Sequence, residues 1–227
     1  MTKTPRQLVL EWPHAPSYAR EDFLEAPSNA PALQAILDWP DWPARMLMLV
    51  GPSGAGKSHL GAIWARRAGA RVVPAAALTR DGVPKIAAAP ALLIEDADRG
   101  ADEAALFHLL NLVREGGIGV LITARAPPGA WGLETADLVS RLRLAPIVEL
   151  GAPDLDLTRA VLVKLFNDRQ IAVDPGLIGY VALRIERSLD AARALVAELD
   201  REALARGGPV TRTMAARLLR DEDEQAG

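Results

Sequence analysis

The stretch Met46-Leu47-Met48-Leu49-Val50-Gly51-Pro52-Ser53-Gly54-Ala55-Gly56-Lys57-Ser58 decides the fold. Its first five residues form an unbroken apolar run, the pattern of a strand buried on both faces. The remainder reads G-x-x-x-x-G-K-[ST], and the residues after it place Leu60, Ile63 and Trp64 on one helical face. Strand, glycine loop and helix in that order make a phosphate cradle. The glycines let backbone N–H groups turn inward at a helix N-terminus, Lys57 brings a charge for the β- and γ-phosphates, and Ser58 can ligate Mg²⁺. Gly51, Pro52, Ser53, Gly54, Ala55, Gly56, Lys57, Ser58 and the adjoining His59 are therefore candidate nucleotide-binding residues.

Outward from this loop the chain alternates. Short apolar runs at residues 46–50, 71–73, 91–94, 120–123 and 147–150 read as buried strands, and the segments between them carry helical spacing, as in Leu106, Leu109, Leu110 and Val113. Such alternation predicts an α/β core, a five-stranded parallel sheet covered by helices on both faces. Upstream, Trp39-Pro40-Asp41-Trp42-Pro43 ends a helix over about residues 30–38, because proline blocks its continuation. Downstream of Leu150 the strand pattern stops. Asp154, Asp174 (with Pro175 at the first helical position), Ser188 and Thr211 each stand where a helix cap belongs. The face Leu157, Val161, Leu165 is expected to be apolar on the first of these helices, and Leu195 and Leu199 on the third. The expected organisation is an extended arm over residues 1–20, an α/β base over 21–150, a small all-helical lid over 151–220 and a solvated acidic tail over 221–227.

Half of the 227 residues are hydrophobic, enough for one sizeable core with a helical satellite. There is no cysteine, hence no disulfide framework and no thiolate metal site. His14, His59 and His108 fall on separate segments without metal-ligand spacing. No apolar run approaches the ~20 residues of a membrane span, and the first ten residues lack the apolar stretch of a secretory signal, so a cytoplasmic protein is expected. With a net charge of −3 and no long basic block, the electrostatic footprint of a protein that grips many DNA phosphates is missing.

The third strand runs into Glu95-Asp96. Glu95 is the candidate for the Mg²⁺ side and Asp96 for polarising water. The first of these positions is more often Asp. Glu is one methylene longer, and octahedral Mg²⁺ at ~2.1 Å tolerates misplacement poorly, so impaired hydrolysis with intact binding is expected.

Taken together, residues from about 7 to 219 resemble the AAA+ ATPases of the DnaA clade, and within it the paralogues that shut off the replication initiator. The resemblance rests on Tyr18 to Asn29, the phosphate loop, Leu92-Leu93-Ile94-Glu95-Asp96, Leu121-Ile122-Thr123 followed by Pro127-Pro128, and Asp137-Leu138-Val139-Ser140-Arg141-Leu142. It implies ADP or ATP with Mg²⁺ on the loop, and adenine between Glu21 to Leu24 and the lid. It makes Arg141 an arginine finger acting in trans on the ATP of DnaA, with Arg143 as competitor, Thr123 a polar sensor and Arg193 a lid sensor. Leu138 and Leu142, four apart, would pin one helix face and leave Arg141 on a neighbouring one. Ala124-Arg125 departs from the Ser-Asp that usually follows the polar sensor. Gln7-Leu8-Val9-Leu10 resembles the peptide that docks such paralogues on the β sliding clamp (DnaN), with Gln7 for a polar rim and Leu8 and Leu10 for an apolar pocket.

The implied function is negative regulation of replication initiation, with DnaA and the clamp as partners, self-association as a further possibility, and weak or no ATPase of its own. Residues 211–220 leave room for a single helix where DnaA continues into a helix-turn-helix, so no sequence-specific DNA binding is expected. Two rivals remain. A helicase loader or other self-contained AAA+ ATPase would turn over ATP alone through Asp96. A structural DNA-binding paralogue would show salt-sensitive duplex affinity.

Overall fold

The computed structural model describes residues 18–226, so Gln7, Leu8 and Leu10 lie outside the described residues. The chain forms two units, one spanning Tyr18–Ala152 and one from Pro153 onward.

The first unit is built on five parallel strands in the order β2-β3-β4-β1-β5, namely β1 (Met46–Val50), β2 (Arg71–Pro74), β3 (Ala91–Glu95), β4 (Gly119–Ala124) and β5 (Ile147–Glu149). Side chains alternate along a strand, so the central strands feed two separate cores. Met48, Val50, Leu92, Ile94, Val120 and Ile122 face one layer. There they meet Leu106, Leu109, Leu110 and Val113 of α4 (Glu103–Gly116) and residues of α3 (Val83–Ile86). Leu47, Leu49, Leu93 and Leu121 face the other layer, against α1 (Ala30–Leu37) and α2 (Lys57–Ala68). The sheet order corrects one expectation. β2 and β5 are edge strands rather than buried ones, with Val72 and Ile147 exposed, because each has a neighbour on one side only.

The Trp/Pro segment does more than end α1. Trp39, Trp42 and Trp64 form an aromatic cluster in which Trp42 and Trp64 stack at 5.2 Å and Trp42 donates its indole N–H to the Ala35 carbonyl at 2.7 Å. The Trp39 ring lies against the start of β4. A Cβ on Gly119 would fall 2.0 Å from its Cη2 atom, so only glycine fits there.

The second unit is helical: α6 (Leu155–Asp168), α7 (Pro175–Ala182), α8 (Leu189–Arg206) and α9 (Arg212–Ala226). All the expected caps form. Asp154 accepts from the Leu157 N–H, Asp174 from Gly176, Ser188 from Ala191 and Thr211 from Met214. On α6 the buried face is Leu157, Thr158, Leu162 and Phe166: Leu157 is buried as expected, and beyond it the face runs one position on from Val161 and Leu165, which lie at its margin. Phe166 is the reason, since turning this larger apolar side chain into the core rotates the helix by one residue. α9 continues through the acidic residues at 221–224, because Glu, Gln and Ala are adequate helix formers. Among the described residues, no helix is long and apolar enough to cross a membrane.

Gly119→Ala should cost about 1–3 kcal/mol by overpacking against Trp39. Urea unfolding followed by tryptophan fluorescence measures it, and loss of Trp39 bulk in the same chain (Trp39→Leu) should recover part of the deficit.

Candidate nucleotide site

β1 ends at Val50 in the middle of the sheet, and the loop 51–56 joins it to α2. Gly54 and Gly56 have φ of 68° and 105°, left-handed values that side-chain-bearing residues adopt at a cost. Gly51 is needed for a different reason. Its neighbour Val50 accepts a hydrogen bond from the Leu150 N–H at 2.7 Å, which draws the Leu150 carbonyl to within 2.2 Å of where a Gly51 Cβ would stand. Lys57, the first residue of α2, is 8% exposed and donates from Nζ to the Gly51 and Pro52 carbonyls at 2.7 and 2.8 Å. The loop thus wraps its own cation.

Beside it, the carboxyl ends of β3 and β4 bring together three residues read from sequence. Ser58 hydrogen-bonds to Glu95, which joins the carboxylate to the hydroxyl that follows the loop. Burial raises the Glu95 pKa above its ordinary value of 4.5, and the Asp96 charge adds to this, while the Ser58 hydrogen bond opposes both. Asp96 itself is exposed and sits at φ 52°, and its N–H donates to Thr123 Oγ1 at 3.1 Å. The Thr123 carbonyl accepts from the Ala97 N–H at 2.9 Å, so this buried threonine fixes the Asp96 turn through both of its oxygens. Where the sequence has Ala124-Arg125, an acid arrives from the turn after β3 instead. Asp98 accepts from the Arg125 N–H at 3.0 Å and keeps its other carboxylate oxygen buried without a partner. Nothing in the local sequence pattern singled out Asp98, because its role depends on the β3–β4 pairing.

His59, the candidate that adjoins the loop, is the third residue of α2. It is buried, and its Nε2 lies 2.8 Å from the Ala19 carbonyl, which can only accept, so Nε2 carries the proton. Tyr18 and Phe23 meet its ring edge-on at 5.4 and 5.2 Å. His59 therefore ties the segment 18–23 to the start of α2, beside the loop. The sequence contained these aromatic residues, but nothing in their spacing linked them to His59.

The helix α5 (Ala136–Leu142) carries Arg141. Leu138 and Leu142 are fully buried, and Arg141 is half-buried with its guanidinium 4.8 Å from the Phe107 ring centroid of α4. The start of α5 is held by another α4 side chain. Glu103 accepts from the Glu134 and Thr135 N–H groups, both at 2.9 Å, and a hydrogen bond from the Thr135 side chain, with these two, lowers its pKa. Arg143, the competitor, is exposed. Arg193 lies on α8 in the second unit, its guanidinium 2.9 Å from Asp190.

A raised carboxyl pKa means that folding favours the protonated form. The associated stability is fully present below pH 4.5 and is lost as pH rises through the elevated folded value. Glu95→Gln removes this dependence. Nucleotide-free Glu95→Gln should therefore gain on the parent steadily as pH is raised from ~4 toward ~7, as read by thermal unfolding, and the gap should narrow when Mg-nucleotide is added.

No protein-family model matches the chain. Solved structures do. Domain III of the replication initiation protein DnaA from Thermotoga maritima superposes with a TM-score of 0.79 at 22% identity, covering 92% of this chain and 98% of that one. AMPPCP-bound DnaA from Aquifex aeolicus gives 0.72 at 16% identity, over 92% of this chain and 71% of the other. The RuvB Holliday junction branch migration motor of Thermotoga maritima gives 0.69 at 16%, over 88% and 70%. At these identities the likeness is one of fold, and the base described above is the α/β AAA+ fold of DnaA domain III.

Proposed function

We propose that this chain is an Hda-like regulator of replication initiation: it holds an adenine nucleotide as a conformational ligand and supplies Arg141 to complete the ATP site of a neighbouring DnaA. The observation that carries this reading is the mounting of Arg141. Two fully buried leucines anchor α5, two backbone hydrogen bonds to Glu103 hold its start, and the guanidinium lies over Phe107 rather than in an ion pair. A side chain so oriented can be delivered across a subunit boundary, where such an arginine is worth on the order of 10³–10⁵ in rate. The likeness to DnaA domain III supports a partner of the same fold.

On the nucleotide, Lys57 and the N–H groups of the loop would hold phosphates. Among the described residues no cluster of three acidic or imidazole side chains could hold a metal alone. Mg²⁺ would therefore be shared by Ser58, Glu95 and phosphate oxygens, which suits a cation that keeps water and phosphate in its shell. In this reading Asp96 and Thr123 polarise and sense, Arg193 reports from the lid, and Gln7, Leu8 and Leu10 tether the protein to a β sliding clamp (DnaN).

A reconstituted assay of DnaA-bound ATP with clamp-loaded DNA tests the finger. Arg141→Ala should lose at least tenfold of the stimulation with its fold intact, and Glu103→Ala should lose part of it, because α5 is then free to shift. Stimulation by Arg141→Ala equal to that of the parent sinks the assignment. Deleting residues 2–10 should abolish clamp pull-down while leaving nucleotide binding unchanged. Substantial turnover by the isolated chain, eliminated by Asp96→Asn, would instead favour a self-contained ATPase of the helicase-loader kind.

A further inference from the structure

The helices of the second unit do not close on one another completely. Between α6, the segment 171–173 and the first half of α7 lies a cleft of about 650 Å³, and every residue that lines it belongs to this unit. That volume is in the range of small-molecule sites. Its walls are mainly apolar. Phe166 and Ile178, both buried in the core of the unit, reach it from α6 and α7, and Val163, a large apolar side chain left 45% exposed, lies along it.

Polar groups are sparse there. Arg159 and Asn167 supply them, eight residues apart on α6 and so ~12 Å apart along its axis. Arg159 lies 3.3 Å from Asp156, an exposed acid on its own helix, and its Nε–H is buried without an acceptor among the described residues. An exposed pair of this kind contributes little, so the guanidinium keeps most of its capacity for a second anion. The acid of the connecting segment, Asp174, is engaged in capping α7 through the Gly176 N–H.

One residue explains why the cleft is open. Gly179 is fifth of the eight residues of α7, a place where glycine is destabilising relative to alanine. Its φ is not left-handed, and a Cβ there would meet no atom within 4 Å. Gly176, three residues earlier, differs: its Cβ would crowd the Asp174 carboxylate at 2.7 Å. Neither backbone conformation nor a close approach calls for glycine at 179. What it does there is leave the cleft unfilled.

We propose that this cleft is a binding site for a small amphipathic monocarboxylate, whose aromatic or branched body lies on Val163, Phe166 and Ile178 beside Gly179 and whose carboxylate meets Arg159. A phosphate monoester fits less well, since its two charges would face a single guanidinium that already shares an acid. A long acyl chain fits less well too, because polar groups ~12 Å apart bound the apolar stretch. The site is independent of the phosphate loop and of Arg141.

Titration of the isotope-labelled full chain with phenylbutyrate, followed by NMR, tests this. Shifts should concentrate on Val163, Ile171, Val173, Ile178 and Gly179, with a dissociation constant in the millimolar range or below for a probe of about twelve heavy atoms. Phenylbutanol, the same body without the charge, should bind roughly fivefold more weakly, and butyrate, the charge without the ring, at least roughly tenfold more weakly. Arg159→Gln should bring phenylbutyrate down to the affinity of phenylbutanol and leave phenylbutanol unchanged. Gly179→Leu should abolish binding of all three while raising the thermal midpoint, because the new side chain fills the cleft and favours the helix. Should Gly179→Leu disturb the fold, Arg159→Gln with the two carboxylates and the alcohol makes the comparison without it. Absence of saturable shifts at the cleft, phenylbutanol binding as tightly as phenylbutyrate, or a folded Gly179→Leu that binds as the parent does overturns the proposal. So does displacement of phenylbutyrate by Mg-ADP, which would make the cleft part of the nucleotide site.

Discussion

A buried ammonium organises the phosphate loop. Lys57 is almost fully enclosed, and a cation taken from water into such a place is costly unless oxygen atoms surround it. The carbonyls of Gly51 and Pro52 turn inward to meet it. A chain bent that tightly needs left-handed turns at Gly54 and Gly56, and at Gly51 the Leu150 carbonyl leaves no room for a Cβ. Three glycines are thus required by one charge and one strand contact, each for its own steric reason. Phosphate oxygens are the natural replacement for those carbonyls, being better acceptors that carry the compensating charge.

Glu95 is poised against the same cradle. Its burial and the nearby Asp96 charge disfavour its ionised form, whereas the Ser58 hydrogen bond favours it. An incoming divalent cation would tip this balance strongly, since a bound metal is the largest charge in a site of this size. On the proposed reading, metal binding and deprotonation of Glu95 are linked. The longer side chain at this position reaches Ser58.

The strands, the loop, the cap residues and the pinned face of α5 were legible because each depends on local spacing: apolar runs of strand length, glycine and lysine at fixed offsets, Asp or Ser ahead of a helix, and leucines four apart. What sequence could not supply was whatever depends on which strands become neighbours. β2 and β5 carry short apolar runs as the central strands do, and the sheet order makes them edges. Asp98 reaches Arg125, and Thr123 reaches Asp96, through the pairing of β3 with β4. Trp39 meets Gly119 across eighty residues of chain that no period connects. The contacts of His59 with Tyr18, Phe23 and the Ala19 carbonyl are equally non-local.

α4 joins the sheet to the proposed finger. One face of this helix, Leu106, Leu109, Leu110 and Val113, is locked into the core beneath β3 and β4. Two of its other side chains reach α5: Glu103 at its start through backbone N–H groups, and Phe107 at its far end beneath Arg141. Helix α5 is only seven residues long, too short to hold its geometry by its own hydrogen bonds, so tertiary contacts must fix it. Both contacts come from a helix whose preceding turn, residues 96–102, carries Asp96 and Asp98. A displacement at the end of β3 therefore has a short mechanical route to the Arg141 side chain through α4, and the two fully buried leucines of α5 decide how much of it is transmitted rather than absorbed.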